Sequence, residues 1–111
     1  MQIVTNNEGA VTILKPLGSL VSGELDDMEK SLLKLSQNWT NRIVINMTDV
    51  VCIDSAGLEL VNRYYNQLSN HGLRLKLCGM NKLIRKIFDL TRLSSHFEIF
   101  PDTTAAVRSF L

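Results

Sequence analysis

The segment Asp54-Ser55-Ala56-Gly57 sets a hydroxyl directly after a carboxylate and directly before two small residues. A serine in such a place can attack a substrate, accept a phosphoryl group or cap a helix. Attack needs a base beside the hydroxyl, and no motif supplies one here. There is no Gly-x-Ser-x-Gly elbow and no glycine-rich phosphate loop with a following lysine. An enzyme is therefore not expected. As an N-cap, Ser55 would contribute about 1 kcal/mol and leave its hydroxyl at a surface-facing helix start. Capping alone accounts for the four residues; a phosphoacceptor role stays open beside it. Gly57 in the first turn keeps bulk away, so that another protein could approach the backbone closely.

The remaining reactive side chains are scattered. His71 and His96 stand singly in polar turns, without the clustered ligands that a metal needs. Cys52 and Cys78 have no metal-ligand spacing, and each lies in an apolar run as a reduced core thiol would. No cofactor is expected. Lys82, Arg85 and Lys86 make a basic patch on one helix and read as a solvated face. Trp39 sits in a polar break, where it would close one end of the core.

The elements that position Ser55 follow from the pattern of apolar residues. Gln2–Thr5 and Ala10–Leu17 are β-prone runs around the turn Asn6-Asn7-Glu8-Gly9, and predict an opening hairpin. Pro16 and Gly18 should stop its second strand. Ser22 is placed to cap a helix with Glu24, Asp26 and Asp27 in its first turn, where carboxylates meet the positive helix end. Leu25, Met28, Leu32 and Leu35 give that helix one apolar face. Ile43–Met47 is almost continuously apolar, as a strand covered on both faces of a parallel sheet would be. Thr48–Ile53 leads into the Ser55 segment, and a helix then runs to about Ser69 with Leu58, Val61, Tyr65 and Leu68 inward. Leu60 and Tyr64 lie beside that stripe, and His71-Gly72 ends it as a glycine C-cap does. Leu73, Leu75 and Leu77 alternate with Arg74 and Lys76, predicting a half-buried strand. A helix through Leu83, Ile84, Ile87 and Phe88 follows. A short strand at Phe97–Phe100 comes next, and then a last helix capped by Asp102 or Thr103 with Ala106, Val107 and Phe110 inward.

The order β-β-α-β-α-β-α-β-α implies an α/β fold, a small mixed, largely parallel sheet covered by about four helices. Open sheets of this kind carry their functional groups at the carboxyl ends of the strands, which is where Ser55 falls. The 111 residues suit a single domain spanning 1–111. Twelve Lys plus Arg against eleven Asp plus Glu give a net charge of +1, without the positive bias of a nucleic-acid-binding domain. Met1–Thr5 lacks the features of a signal peptide, and no apolar run approaches the ~20 residues of a membrane span. A cytoplasmic protein with neither nucleic acid nor membrane insertion is the expectation.

Asp49-Val50-Val51-Cys52-Ile53-Asp54-Ser55-Ala56-Gly57-Leu58 resembles the signature of STAS domains, the fold of bacterial anti-sigma-factor antagonists. Lys86-Ile87-Phe88-Asp89-Leu90-Thr91-Arg92-Leu93 is similar to the family's late helix and the turn after it, and the order of elements agrees along essentially the whole chain. The resemblance implies a protein-interaction module in which Ser55 is phosphorylated by a serine-kinase anti-sigma factor and reset by a serine phosphatase. It also places Asp54, Ala56, Gly57, Ser19 and Val21 in the partner-binding surface and switch loop. One position departs from the family. Antagonists carry an Asp or another polar residue in a Gly-x-Leu-Asp pattern, whereas this chain reads Gly18-Ser19-Leu20-Val21. Val21 thus keeps a second function in view: a STAS scaffold without a phosphoswitch, or an accessory subunit of a larger complex such as a lipid-transport system.

Overall fold

A computed structural model describes residues 1–38 and 40–111; Trp39, expected to close the core, lies outside the described residues. The elements are β1 (Gln2–Glu8), β2 (Val11–Leu20), α1 (Asp26–Gln37), β3 (Arg42–Asn46), β4 (Val50–Ile53), α2 (Ser55–Asn70), β5 (Arg74–Cys78), α3 (Lys82–Leu90), a 3-10 turn (Leu93–Ser95), β6 (Ile99–Phe100) and α4 (Thr103–Arg108). The strands lie in the order β1-β2-β3-β5-β6, with β4 against β2. Among the described residues only the β1–β2 hairpin is antiparallel. The mixed, largely parallel sheet with four helices is the architecture expected from the sequence.

Side-chain alternation divides the core. Ile43 and Ile45 of β3 and Leu75 and Leu77 of β5 face α1, α2 and α3 through Met28, Leu32, Leu60, Val61, Ile84 and Phe88. Val44 and Cys78 point the other way, to Ala106 and Phe110 at the end of the chain. Ile43, Val44 and Ile45 are completely buried, as a run apolar on both faces requires.

The second face corrects the expectation of a half-buried β5. Lys76 is 1% exposed, because α4 packs over the strand that its charge marked as solvated. Its Nζ donates to Ser109 Oγ at 2.7 Å and to the Ser109 carbonyl at 3.3 Å, lies 3.5 Å from Glu98, and stands 4.2 Å from the Phe110 ring centroid. The ammonium is tolerated there because the chain end supplies acceptors, and an aromatic face takes up the rest of the charge.

Three further local expectations change. Strand β2 does not stop at Pro16 but continues to Leu20. It pairs with β3 through Leu14 and with β4 from Gly18, so Pro16 falls in the interval where β2 changes partner and a missing N–H is tolerated. Gly18, at φ +124°, takes up the register shift. Thr48–Ile53 contains a strand of its own, β4, too short to declare itself by alternation. Ser22 does not cap α1, which starts at Asp26 after Leu25 without a side-chain cap. Instead Val21–Glu24 form a tight turn, with Glu24 N–H on the Val21 carbonyl at 3.0 Å and Gly23 at φ +88°.

Helix α2 ends as expected. Gly72 adopts φ +74°, and Leu73 N–H and Gly72 N–H reach back to the Leu68 and Ser69 carbonyls at 2.8 and 3.1 Å. Its inner stripe is rotated from the expected one, however. Gly57, Leu60, Val61, Tyr64 and Leu68 are buried, while Leu58 and Tyr65 lie on the flank. Leu60→Ala should therefore cost the ~2–5 kcal/mol of a core truncation, and Leu58→Ala clearly less. Urea denaturation of the two variants checks this, and equal losses would contradict the orientation of α2.

Candidate functional site

The carboxyl end of β4 delivers Asp54 and Ser55 to the start of α2. Asp54, and not Ser55 as expected, is the N-cap: its Oδ1 accepts from Gly57 N–H at 3.0 Å, and its backbone is extended as a cap requires. The other oxygen, Oδ2, accepts from Ser22 N–H at 2.8 Å. One carboxylate thus closes the first turn of α2 and pins the loop that follows β2. These two amides are the leading reason why the Asp54 carboxyl is held below its ordinary value of 3.8.

Gly57 explains how the two segments come so close. It is buried, and a Cβ at this position would fall on the Leu20 carbonyl oxygen and within 2.7 Å of Ile53 Cγ1. Leu20 also accepts from Asp54 N–H at 3.2 Å. The missing side chain therefore serves the approach of β2 to α2 inside the molecule, a correction to the expectation that it clears space for a partner.

Ser55 is exposed at the first position of α2, and its hydroxyl makes no hydrogen bond among the described residues. Relieved of capping, the side chain has no structural duty there. Ala56 is half-buried behind it. Val21, where the resemblance leads one to expect a polar residue, is half-buried in the turn that Asp54 holds through Ser22. Ser19 is half-buried on β2, where its hydroxyl accepts from Cys52 Sγ at 3.3 Å, and no hydrogen bond among the described residues joins it to Ser55.

Sequence reasoning missed the groove beside Ser55 and the residue that frames it. Ser55, Leu58, Glu59 and Asn62 of α2 face Thr91 and Leu93, which follow α3, across an open, mainly apolar groove. Helix α3 is fixed by Asn81, whose Oδ1 caps Ile84 N–H at 2.8 Å while its Nδ2 donates to the Val50 and Val51 carbonyls at 3.2 and 3.0 Å. An asparagine before a helix signals the cap. Its second pair of bonds, to a strand thirty residues earlier, has no signal in the sequence. The two cysteines are free; Cys78 is buried, and burial pushes its thiol up to about 11, while Cys52 is half-buried. No cluster of three or more His, Cys, Asp or Glu able to hold a metal occurs among the described residues, and none of their helices is long and apolar enough to cross a membrane.

Two variants test the junction. Gly57→Ala forces β2 and α2 apart and should cost about 1–3 kcal/mol or more, the range of overpacked sites, in spite of alanine's better helix propensity. Asp54→Asn should also destabilise, in a pH-dependent way. Because the folded pKa is depressed, the carboxylate's contribution is complete above the unfolded value of ~3.9 and is lost as pH falls through the folded one. Thermal melts should show the gap between wild type and Asp54→Asn narrowing below about pH 4. A gap independent of pH would mean that the charge on Asp54 does not hold the loop.

Comparison with known proteins bears on what such a junction serves. Residues 2–106 match the family described as STAS domain. An anti-sigma-B factor antagonist of Staphylococcus epidermidis is 31% identical over 78 residues, which cover 66% of this chain and 72% of the relative; one from Staphylococcus aureus strain NCTC 8325 matches to the same extent. The fold is also that of an anti-sigma factor antagonist from Mycobacterium paratuberculosis (TM-score 0.89, 17% identity, 97% of this chain and 92% of the other). The Bacillus cell fate determinant SpoIIAA in its phosphorylated form shares it too (TM-score 0.76, 16% identity, 99% and 100%). With residues 2–106 matched by the family and the fold shared with these structures, the chain belongs to the STAS domain family.

Proposed function

We propose that this STAS domain is an anti-sigma-factor antagonist: a cytoplasmic, non-enzymatic ligand of a serine-kinase anti-sigma factor, switched off by phosphorylation of Ser55 and reset by a serine phosphatase. The observation that carries the reading is the exposed, unbonded Ser55 hydroxyl on a backbone that Asp54 and Gly57 hold fixed. A kinase acting there would meet a rigid acceptor that loses no capping bond when it is modified. The curated relatives are named anti-sigma-B factor antagonists, which supports the assignment of partner class. In this reading Ser55, Asp54 and Ala56 form the docking surface on the backbone that buried Gly57 holds in place, with Ser19 near the end of β2 and Val21 in the turn after it.

The switch would act through charge and leave the fold intact. Phosphorylation brings about −1.5 to −2 charges to the first turn of α2, where backbone amides and the helix dipole accept negative charge. Asp54 beside it and Glu59 one turn later repel the phosphate, turning it outward to the surface a partner would cover. A loss of 1.4 kcal/mol at that surface is a tenfold loss of affinity.

Val21 favours a second reading, a STAS scaffold or accessory subunit without a switch, since the loop lacks the family's polar residue. Ser55→Asp separates the two. Under the switch reading it leaves circular dichroism and melting temperature near wild type but weakens binding to the cognate kinase at least about tenfold, while Ser55→Ala binds normally and takes up no phosphate. If Ser55→Asp binds as tightly as wild type and mass spectrometry finds no phosphate on Ser55 in the native cells, the scaffold reading replaces it.

A further inference from the structure

Helix α3 carries more apolar surface than its packing uses. Ile84 and Phe88 are completely buried and anchor it. Leu83 and Leu90 are nevertheless 55% and 74% exposed, and with half-buried Ile87 they recur at i, i+4 and i+7, a second stripe beside the buried one. Asn81 ties the start of α3 to β4, and so sets Val51, 66% exposed, at the first turn of the same helix. Val51, Leu83 and Leu90 are half of the large hydrophobic side chains exposed among the described residues. Their concentration on one helix and its tethering strand sets this surface apart from ordinary scattered exposure.

Charge says what covers it. Lys82, Arg85, Lys86 and Arg92 against the single Asp89 leave residues 82–92 with three surplus positive charges in a chain whose total is +1. Arg85 is paired with Asp89 at 3.4 Å, whereas Lys82 and Lys86 enter no ion pair among the described residues. Both are exposed and follow each other by four along the edge of the Leu83–Leu90 stripe. We infer that this stripe, with Lys82 and Lys86 along its edge, docks an acidic amphipathic helix of a partner protein, leucines on the stripe and carboxylates on the two lysines. A membrane surface fits less well, since Ile84 and Phe88 fix the helix to the sheet and only a few side chains stand out to insert. Thr91, one turn after Ile87, lines the Ser55 groove, so a bound helix would run beside the switch residue. The inference rests on the chain being a partner-binding module and does not depend on phosphorylation of Ser55.

The probe is a helix-stabilised peptide with leucines at i, i+3, i+4 and i+7 and glutamates between them, titrated into the isotope-labelled chain and followed by amide resonances and fluorescence anisotropy. Saturable shifts should centre on α3 and β4. Lys82→Glu combined with Lys86→Glu, and separately Leu83→Ser with Leu90→Ser, should each weaken binding at least about tenfold. Spectra should remain those of a folded chain, because all four side chains are exposed. The titration uses the unphosphorylated chain throughout, which keeps this result distinct from failure of the switch. A peptide with lysines in place of glutamates should not bind. The inference is overturned if the lysine peptide binds equally well, or if the shifts lie elsewhere. It is also overturned if vesicles containing anionic phosphatidylglycerol bind in a Lys82- and Lys86-dependent manner while the acidic peptide does not.

Discussion

The contact between the Leu20 carbonyl and the bare backbone of Gly57 governs the arrangement of the site. A side chain at position 57 would collide with that carbonyl, so the end of β2 and the start of α2 can meet only because glycine is there. Once they meet, Asp54 has a donor on each side, one in its own helix and one in the loop after β2. The approach is steric and the fastening electrostatic, and each depends on the other. Without the close approach, the carboxylate would be an ordinary N-cap; without the carboxylate, the loop would rest on the helix without being held. The two bonds also account for the free state of Ser55, since the neighbouring aspartate has taken over the capping duty that a serine could have filled.

Outside the junction, the sheet keeps the site rigid by being buried on both faces. The larger core lies under α1, α2 and α3, and the smaller one under α4. Lys76 belongs to the smaller core. A lone buried ammonium would be costly, but the carbonyl and hydroxyl of Ser109, the Glu98 carboxylate and the Phe110 ring together replace much of its hydration. The segment after α4 is thereby fastened to the interior strand β5. The short α4 would otherwise have little but Ala106 and Phe110 to hold it.

The sequence made the strand and helix order plain wherever a single rule decided it. The apolar run Ile43-Val44-Ile45 of β3, the glycine-ended α2 and the Asp102 cap on α4 all needed only local chemistry. What stayed hidden depended on contacts distant along the chain. Lys76 marked β5 as solvent-facing because nothing near it tells that α4 returns to cover the strand. The phase of α2 was misplaced by a fraction of a turn because Gly57, counted as a space for partners, is the most inward point of its first turn. Asn81 and Leu58 belong to the site through pairings with β4 and with Leu93, thirty or more residues away. The position of Ser55 was legible, but its freedom from capping was not, since Asp54 and Ser55 are both good cap residues and only the backbone decides between them.

The groove beside Ser55 lies between the start of α2 and the basic segment 82–92, and in the proposed switch this would give a modest chemical change a large effect. Glu59 lines it on the α2 side, with Asp54 next to Ser55 in the chain; on the other side it is lined by Thr91 and Leu93, which belong to or follow the segment 82–92 with its surplus of positive charge. In the unmodified protein Glu59 is the one charged residue lining the groove among the described residues, so a partner would meet a mainly apolar strip. A phosphate on Ser55 adds about −1.5 to −2 and makes one bank strongly negative while the other is unchanged. Over the ~8 Å Debye length of physiological salt, the added field would reach across a groove that a few side chains span. A partner shaped to the mainly apolar strip would then face an unpaired dianion at its edge, where water is excluded and charge is expensive. Asp54 and Gly57 prevent the backbone from yielding to that charge, so relief can come only by separation of the partners. The same rigidity that leaves Ser55 idle in the free domain would thus turn its modification into a change of affinity.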